Sequence, residues 1–99
     1  MVKIADHSAV IFGTHFPNRI FVGCLPPKAA AQDLAEFFSF FGTVNEAKIV
    51  LDENGNSKRF GFVSFAYEKD VSAVLQHGSI FFWGKKINVG PAIKKMVII

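Results

Sequence analysis

The chain has 99 residues, of which 51% are hydrophobic and 19% charged, and twelve of them are phenylalanine. Because a separate core needs roughly 50 residues or more, this length favours one domain over two. The apolar content excludes intrinsic disorder. Eleven basic and eight acidic residues give a formal net charge of +3, which favours an anionic partner over a cationic one.

The chain has a single cysteine, Cys24, which excludes an internal disulfide and indicates a reducing compartment. The spacings of His7, His15 and His77 match no zinc pattern, so we predict no metal and no cofactor. The apolar stretch 9–12 is too short for a signal peptide, and no run reaches the roughly 18 apolar residues of a spanning helix. We therefore expect a cytoplasmic protein, with the nucleus as an alternative location, and no membrane partner.

The first half of the chain alternates strand and helix signals. Residues 19–25 are β-branched and aromatic and stop at two prolines, which predicts a strand. Apolar residues at spacings of three and four predict a helix over 31–41. Residues 44–51 and 59–65 predict two more strands, and the Asn-Gly turn between them favours an antiparallel pair.

The second half repeats this order, with a helix predicted over 68–76, a short apolar stretch over 80–83 and a last strand over 86–89. The resulting order is β-α-β-β-α-β. It predicts an α+β, ferredoxin-like sandwich in which a four-stranded antiparallel sheet carries both helices on one face. We divide the chain into three parts: an N-terminal extension over 1–16, the domain over 17–93 and a C-terminal tail over 94–99.

Side-chain alternation along the strands assigns each residue to one face of the sheet. The residues expected under the helices are apolar: Ile20, Val22, Val63 and Phe65. This leaves Phe21, Phe60 and Phe62 on the other face. If residues 1–16 or 93–99 cover them, the three rings are ordinary core. If they stay uncovered, each forgoes roughly 1.5–3 kcal/mol of burial, which favours a flat apolar partner such as an unstacked nucleobase.

The charges are unevenly distributed between helices and strands. The two predicted helices hold one lysine against four carboxylates, a net charge of −3, so the remainder of the chain carries +6. Basic residues therefore concentrate in or beside the strands, where phosphates could follow them.

Two strands carry a recognisable pattern. The run Lys58-Arg59-Phe60-Gly61-Phe62-Val63-Ser64-Phe65 resembles the RNP1 octapeptide of RNA recognition motifs, and Ile20-Phe21-Val22-Gly23-Cys24-Leu25 resembles the RNP2 hexapeptide. Within that superfamily, a resemblance to the DAZ family, the Boule and DAZ-like proteins, is carried by five short runs: 17–23, 48–50, 57–58, 84–86 and 90–95.

The resemblance implies a monomeric, non-enzymatic domain that binds single-stranded RNA. Members of the DAZ family act in germ cells on U-rich, GUU-containing sites in the 3′ untranslated regions of messages. By resemblance we expect this chain to act there in post-transcriptional or translational control, together with protein partners in translation.

The same resemblance implies residue roles. Phe21 and Phe62 would each stack a base, and Phe60 would pack against a sugar or between two nucleotides. Lys58, at the first RNP1 position, would pair with a phosphate or a base edge. Further candidates have the parity or the charge to reach RNA: Lys48, Val50 and Asn88 for bases, and Arg19, Lys86 and Lys94 for the backbone.

Two residues depart from the family pattern. Arg59 stands where glycine is usual, so it either adds a phosphate contact or hinders close approach of the chain. Cys24 replaces the small residue or asparagine common near the end of RNP2.

Two other classes of function compete with RNA binding. A protein-interaction module would bind a peptide through the helix face or through the region of Phe40 and Trp83. A small ferredoxin-like enzyme such as an acylphosphatase needs an anion cradle after the first strand, and Pro26-Pro27 supplies no amide donors there. We therefore predict no catalytic residues.

Overall fold

The structure is a computed structural model that describes the backbone of residues 10–98 and the side chains of residues 16–93. Its elements in chain order are β1 (Val10–Gly23), α1 (Ala31–Phe38), β2 (Val44–Leu51), β3 (Ser57–Phe65), α2 (Glu68–Leu75), β4 (Ile80–Phe82) and β5 (Lys85–Ile98). All strand pairs are antiparallel, and the strand order is β2-β3-β1-β5-β4. The α+β prediction is confirmed, with one difference. The apolar stretch after α2 is a fifth strand that pairs only with β5.

β1 begins well before the predicted strand 19–25 but ends two residues earlier, at Gly23, and β5 extends beyond the predicted strand 86–89 at both ends. Residues 10–15 pair with 93–98, so the backbones of the extension and the tail continue the two central strands as a ribbon. The register shifts between His15 and Ile20, where Pro17 interrupts the ladder. The end of the last strand was predicted too early because Pro91 was interpreted as a stop. Pro91 lies within β5 opposite Ile20, beyond the short stretch that pairs with β4, where a proline is tolerated at the sheet edge.

The core lies between one face of the sheet and the two helices. The four strand residues expected under the helices are fully buried. They pack in one cluster with residues from both helices: Leu34 and Phe38 of α1, and Val71 and Val74 of α2. The Phe38 ring meets Phe65 edge-on, with 6.4 Å between ring centres. Each fully buried side chain of this size contributes about 1.5–3 kcal/mol, so this face of the sheet fixes the fold.

The helices end earlier than their apolar patterns predict. α1 stops at Phe38 rather than at residue 41, and the Phe40 and Phe41 amides donate to the Phe37 and Phe38 carbonyls in a tighter turn. Phe40 is consequently 89% exposed. At the other end, the Ala30 amide donates to the Asp33 carboxylate at 2.8 Å, which is one half of a capping box, and Ala30 has no side-chain acceptor for the other half. In the part of the chain that the structure describes, no helix is long and apolar enough to span a membrane.

Gly61 allows β2 and β3 to pair closely. It lies opposite Val22 on one side and Ile49 on the other, and a Cβ built on it would overlap the Lys48 carbonyl oxygen. Backbone atoms cannot move away as a flexible side chain would, so any larger residue here must push the strands apart.

We therefore expect Gly61→Ala to lower the free energy of unfolding by about 2 kcal/mol or more, measured by chemical denaturation. Gly90→Ala is the matched control, because Gly90 also lies in a strand but its Cβ would meet nothing within 4 Å. We expect that variant to stay within about 0.5 kcal/mol of the parent or to be more stable. Equal effects of the two substitutions would contradict this account of Gly61.

Candidate nucleic-acid interface

Three phenylalanine rings occupy the sheet face opposite the helices. Phe21 of β1 lies directly across from Phe62 of β3, with ring centres 6.0 Å apart, and the ring centre of Phe60, two residues away on β3, is 5.8 Å from that of Phe21. All three side chains are half-buried, whereas their strand neighbours Ile20 and Val22 are fully buried. The rings are therefore not ordinary core, and they form a contiguous aromatic surface, which we call the ring platform.

Two glycines shape this platform, and neither was predicted from the sequence as a site residue. Gly23 lies under the Phe21 ring, because a Cβ at this position would come within 2.9 Å of Phe21 Cε2. Gly90 is the partner of Phe21 on β5, and its missing side chain leaves open space beside that ring. The register thus produces a row of four residues across the sheet: Lys48, Phe62, Phe21 and Gly90. The two rings lie between the Lys48 ammonium on one side and the open space at Gly90 on the other.

The predicted base-contacting residues lie around this row. Lys48 is exposed opposite Phe62, and Val50, two residues further along β2, is half-buried. Asn88 is exposed opposite Gly23, and its Nδ2 donates to Cys24 Sγ at 3.1 Å. Sulfur is a weak acceptor, so this bond holds the exposed amide only weakly. It connects Cys24, a departure from the family pattern, to Asn88.

The candidate phosphate-binding residues differ in how exposed their side chains are and in whether they make contacts within the protein. Lys58 and Lys86 are exposed, and the side chain of Lys94 lies outside the described residues. Arg19 is half-buried, and its Nε donates to Ser64 Oγ at 3.1 Å. Its guanidinium carbon lies 5.0 Å from the centre of the Phe16 ring. Arg19 is therefore held at the sheet surface.

Arg59 shows why glycine is usual at its position. Its φ of 68° lies in the left-handed region, which costs a residue with a Cβ about 1–2 kcal/mol. Arg59 Nε donates to the Leu25 carbonyl at 3.0 Å, and the Leu25 amide donates to the Arg59 carbonyl at 2.9 Å. The arginine thus connects the start of β3 to the loop after β1, and one of its nitrogens is engaged within the protein.

A metal site has no support in the geometry of the described residues. Among them, no three His, Cys, Asp or Glu side chains lie close enough together to hold an ion. The side chains of His7 and His15 lie outside the described residues, and Cys24 is a free thiol at the surface.

Comparison with known proteins agrees with this arrangement. The model of the RNA recognition motif family matches residues 20–88, from near the end of β1 to near the start of β5. The crystal structure of the RRM domain of mouse Deleted in azoospermia-like superposes on this chain with a TM-score of 0.70. The two are 40% identical, and the match covers 82% of this chain and 99% of the mouse domain. The RNA-binding domain of Hrp1, solved in complex with RNA, gives a TM-score of 0.71 at 33% identity, covering 79% of this chain and 47% of that one.

Curated relatives extend the similarity at the sequence level. Human Protein boule-like is 46% identical over 92 residues, which are 92% of this chain and 32% of the relative. Human Deleted in azoospermia-like is 41% identical over 83 residues, covering 84% of this chain and 28% of the relative. The chain therefore spans about a third of the length of the curated relatives it matches.

The position of Arg59 gives a prediction that is independent of any ligand. Arg59→Gly relieves the backbone strain and loses one side-chain hydrogen bond, so we expect little net change in the free energy of unfolding. Arg59→Ala loses the same bond and keeps the strain. It should be about 1 kcal/mol less stable than Arg59→Gly by chemical denaturation. An alanine variant as stable as the glycine variant would show that the left-handed backbone carries no cost.

Proposed function

The chain belongs to the RNA recognition motif family, whose members bind single-stranded RNA and are not enzymes, and we propose that this domain selects short U-rich sites by stacking bases on Phe21 and Phe62. The observation that carries the proposal is the ring platform. It lies on the sheet face opposite the helices, beside exposed lysines and outside the apolar core. A nucleobase has a flat face that stacks on such rings and polar edges that stay accessible to water and to side chains.

Stacking alone is too weak to account for useful affinity. Each stacked base contributes about 1–3 kcal/mol, so two rings supply about 2–6 kcal/mol. A dissociation constant of about 1 μM requires about 8 kcal/mol. The rest of the binding free energy must come from contacts to base edges and phosphates. These contacts are made by the polar residues around the rings.

In this proposal some of the surrounding residues contact the bases and others contact the sugar–phosphate backbone. Asn88, whose amide contacts Cys24, offers that amide to a base edge beside Phe21, and Lys48 offers an ammonium beside Phe62. Phe60 packs against a sugar between the two stacked bases, and Val50 adds apolar contact. Lys58 and Lys86 pair with phosphates, and Arg19 and Lys94 make further contacts to the RNA backbone. Coulomb attraction to phosphate does not depend on the RNA sequence, so these residues add affinity without selectivity.

The preference for GUU-like sites is the finer part of the proposal. It is supported by the resemblance to the Boule and DAZ-like proteins and by the identities of 46% and 41% to two such relatives. The word azoospermia in the relatives' names refers to absence of sperm, which supports a role in germ cells. On the same basis we propose that the protein acts in the cytoplasm on 3′ untranslated regions, in translational control with protein partners.

We expect Phe21→Ala and Phe62→Ala each to remain folded and to lower the affinity for a GUU-containing oligomer by about 5- to 150-fold, which corresponds to the stacking energy of one base. Fluorescence anisotropy with a labelled RNA measures the loss. Phe40→Ala is the matched control, because the same ring is removed from an exposed position after α1. If both platform variants bind as tightly as the parent, the stacking mechanism is wrong.

Sequence preference is tested separately, by selecting bound sequences from a random RNA pool. Enrichment of U-rich, GUU-containing sequences is the expected result. Enrichment of unrelated sequences by the parent protein would reject the GUU preference and leave stacking intact.

Phosphate contacts predict a salt dependence. Each contact to single-stranded RNA contributes about 0.7 to the slope of log affinity against log salt, so Lys58→Ala and Lys86→Ala should each reduce the slope by about that amount. Lys69→Ala on α2 is the matched control and should leave the slope unchanged. Titrations between 50 and 200 mM salt, roughly the range over which such contacts are lost, measure it. An unchanged slope removes that lysine from the phosphate contacts.

A second function has a specific observation in its favour. Phe40 and Tyr67, 89% and 57% exposed, line a groove of about 800 Å³ between the end of α1 and the start of α2. A peptide bound there would make the domain a protein-interaction module on the same scaffold. An NMR titration with RNA separates the two functions. RNA binding at the platform shifts the strand amides and leaves the helix amides unchanged.

A further inference from the structure

The groove between the end of α1 and the start of α2 exposes aromatic side chains on the helix side of the domain. Its volume of about 800 Å³ lies in the upper part of the range for ligand pockets. Phe40 and Tyr67, two of its lining residues, are 89% and 57% exposed. An aromatic ring left in water forgoes the free energy of burial, so two such rings in one groove favour a partner that covers them.

The groove is preformed, because contacts within the protein join the segments around it. The Ala66 amide, just before α2, donates to the Thr43 carbonyl at 2.8 Å. The half-buried ring of Phe41 lies 5.6 Å from the ring of Phe38 in α1 and 5.4 Å from that of His77 after α2, measured between ring centres. A partner that binds a preformed groove does not lose free energy in ordering it.

The charge of the groove selects the chemistry of the partner. Glu36 and Asp70 contribute two carboxylates to the lining, against one ammonium from Lys69. Asp70 is half-buried against Gly42, where a Cβ would come within 2.5 Å of the carboxylate. Lys69 Nζ lies 5.7 Å from the centre of the Tyr67 ring, so this ring already has a cation over its face. The net negative charge disfavours nucleic acid in the groove and favours a cationic partner.

Glu36 occupies a position that helix stability does not explain. It lies in the last turn of α1, where the helix dipole disfavours an acid, and no basic residue lies in that turn. Glu68 and Asp70, by contrast, lie in the first turn of α2, where the dipole favours them. The exposed Glu36 carboxylate and the negative end of the α1 dipole therefore meet at the groove, and a cation bound there would offset both.

We propose that this groove binds a basic segment of a partner protein, one that carries both apolar side chains and arginine or lysine. The apolar side chains cover Phe40 and Phe41, and the cations approach Glu36 and Asp70. The inference rests on the second function proposed above and names its partner class. It does not depend on RNA binding, because the ring platform lies on the opposite face of the sheet. The domain then holds an RNA on one side and a protein on the other.

The test uses two short synthetic peptides, one in which arginine alternates with leucine and one in which glutamate replaces each arginine. Each is titrated into the isotope-labelled protein and followed by NMR. The basic peptide should shift the amides at the end of α1 and the start of α2 and leave those of Phe21 and Phe62 unchanged. It should bind at least about tenfold more tightly than the acidic peptide, because like charges across an interface repel.

The two peptides separate this inference from the function on which it rests. Equal or tighter binding of the acidic peptide in the groove overturns the basic partner and leaves the groove a peptide-binding site. Binding of neither peptide overturns the inference together with the second function.

Three variants locate the effect. Phe40→Ala should weaken binding of the basic peptide by about fivefold or more, and Glu36→Gln and Asp70→Asn each by about two- to fivefold. Glu36→Gln should also unfold at the same or a higher temperature than the parent, because it removes an acid from the last turn of α1. The matched controls are Phe81→Ala on β4 and Glu53→Gln in the turn after β2, both exposed, and they should bind as the parent does. Unchanged peptide affinity in Phe40→Ala, or in both carboxylate variants, overturns the inference.

RNA binding by the same proteins provides the last comparison. Phe21→Ala should lose affinity for RNA and keep its affinity for the basic peptide, and Phe40→Ala should do the reverse. If Phe21→Ala weakens binding of the peptide as well, the peptide binds at the ring platform and the inference is wrong. If the parent binds the peptide in the groove but no RNA, the RNA-binding proposal fails and this inference stands.

Discussion

The antiparallel pairing of β1 with β3 is the constraint on which the rest of the domain depends. On the helix side it sets Ile20 opposite Val63, and on the other side it sets Phe21 opposite Phe62. A slip of one residue would exchange the two faces, moving the apolar core into water and the ring platform under the helices. The burial of the core residues therefore fixes the register, and the platform takes its geometry from a part of the molecule that no ligand touches.

Much of this was predictable from the sequence because side-chain alternation is a local property of a strand. It placed Phe21, Phe60 and Phe62 on one face, and the bounds of β2 match the prediction. The longer β1 and β5 were missed because the pairing of 10–15 with 93–98 joins the two ends of the chain. The contact of Asn88 with Cys24, 64 positions apart, and the space at Gly90 beside Phe21 depend on the same distant register. α1 was predicted too long because Phe41 continues the spacing of Leu34, Phe37 and Phe38, whereas the chain turns more tightly after Phe38.

The basic residues of this face divide according to the chemistry of their side chains. Both arginines, Arg19 and Arg59, use Nε within the protein, one toward a serine hydroxyl and the other toward a backbone carbonyl. The described lysines are exposed and carry a compact charge on a flexible stem. A planar guanidinium can brace the fold through one nitrogen and still present others, which an ammonium cannot do with the same geometry. The arginines thus shape the surface, and the lysines supply mobile charge around it.

The separation of charge between the two sides of the domain has a consequence for how a polyanion arrives. α1 and α2 together hold four carboxylates and one lysine, behind a sheet that carries exposed lysines in front. Such a molecule is an electric dipole, and the field of an approaching nucleic acid turns it so that the sheet leads before any contact is made. Encounters in the wrong orientation become rarer, and the association rate at low ionic strength rises. The increase becomes smaller as added salt shortens the range of the field.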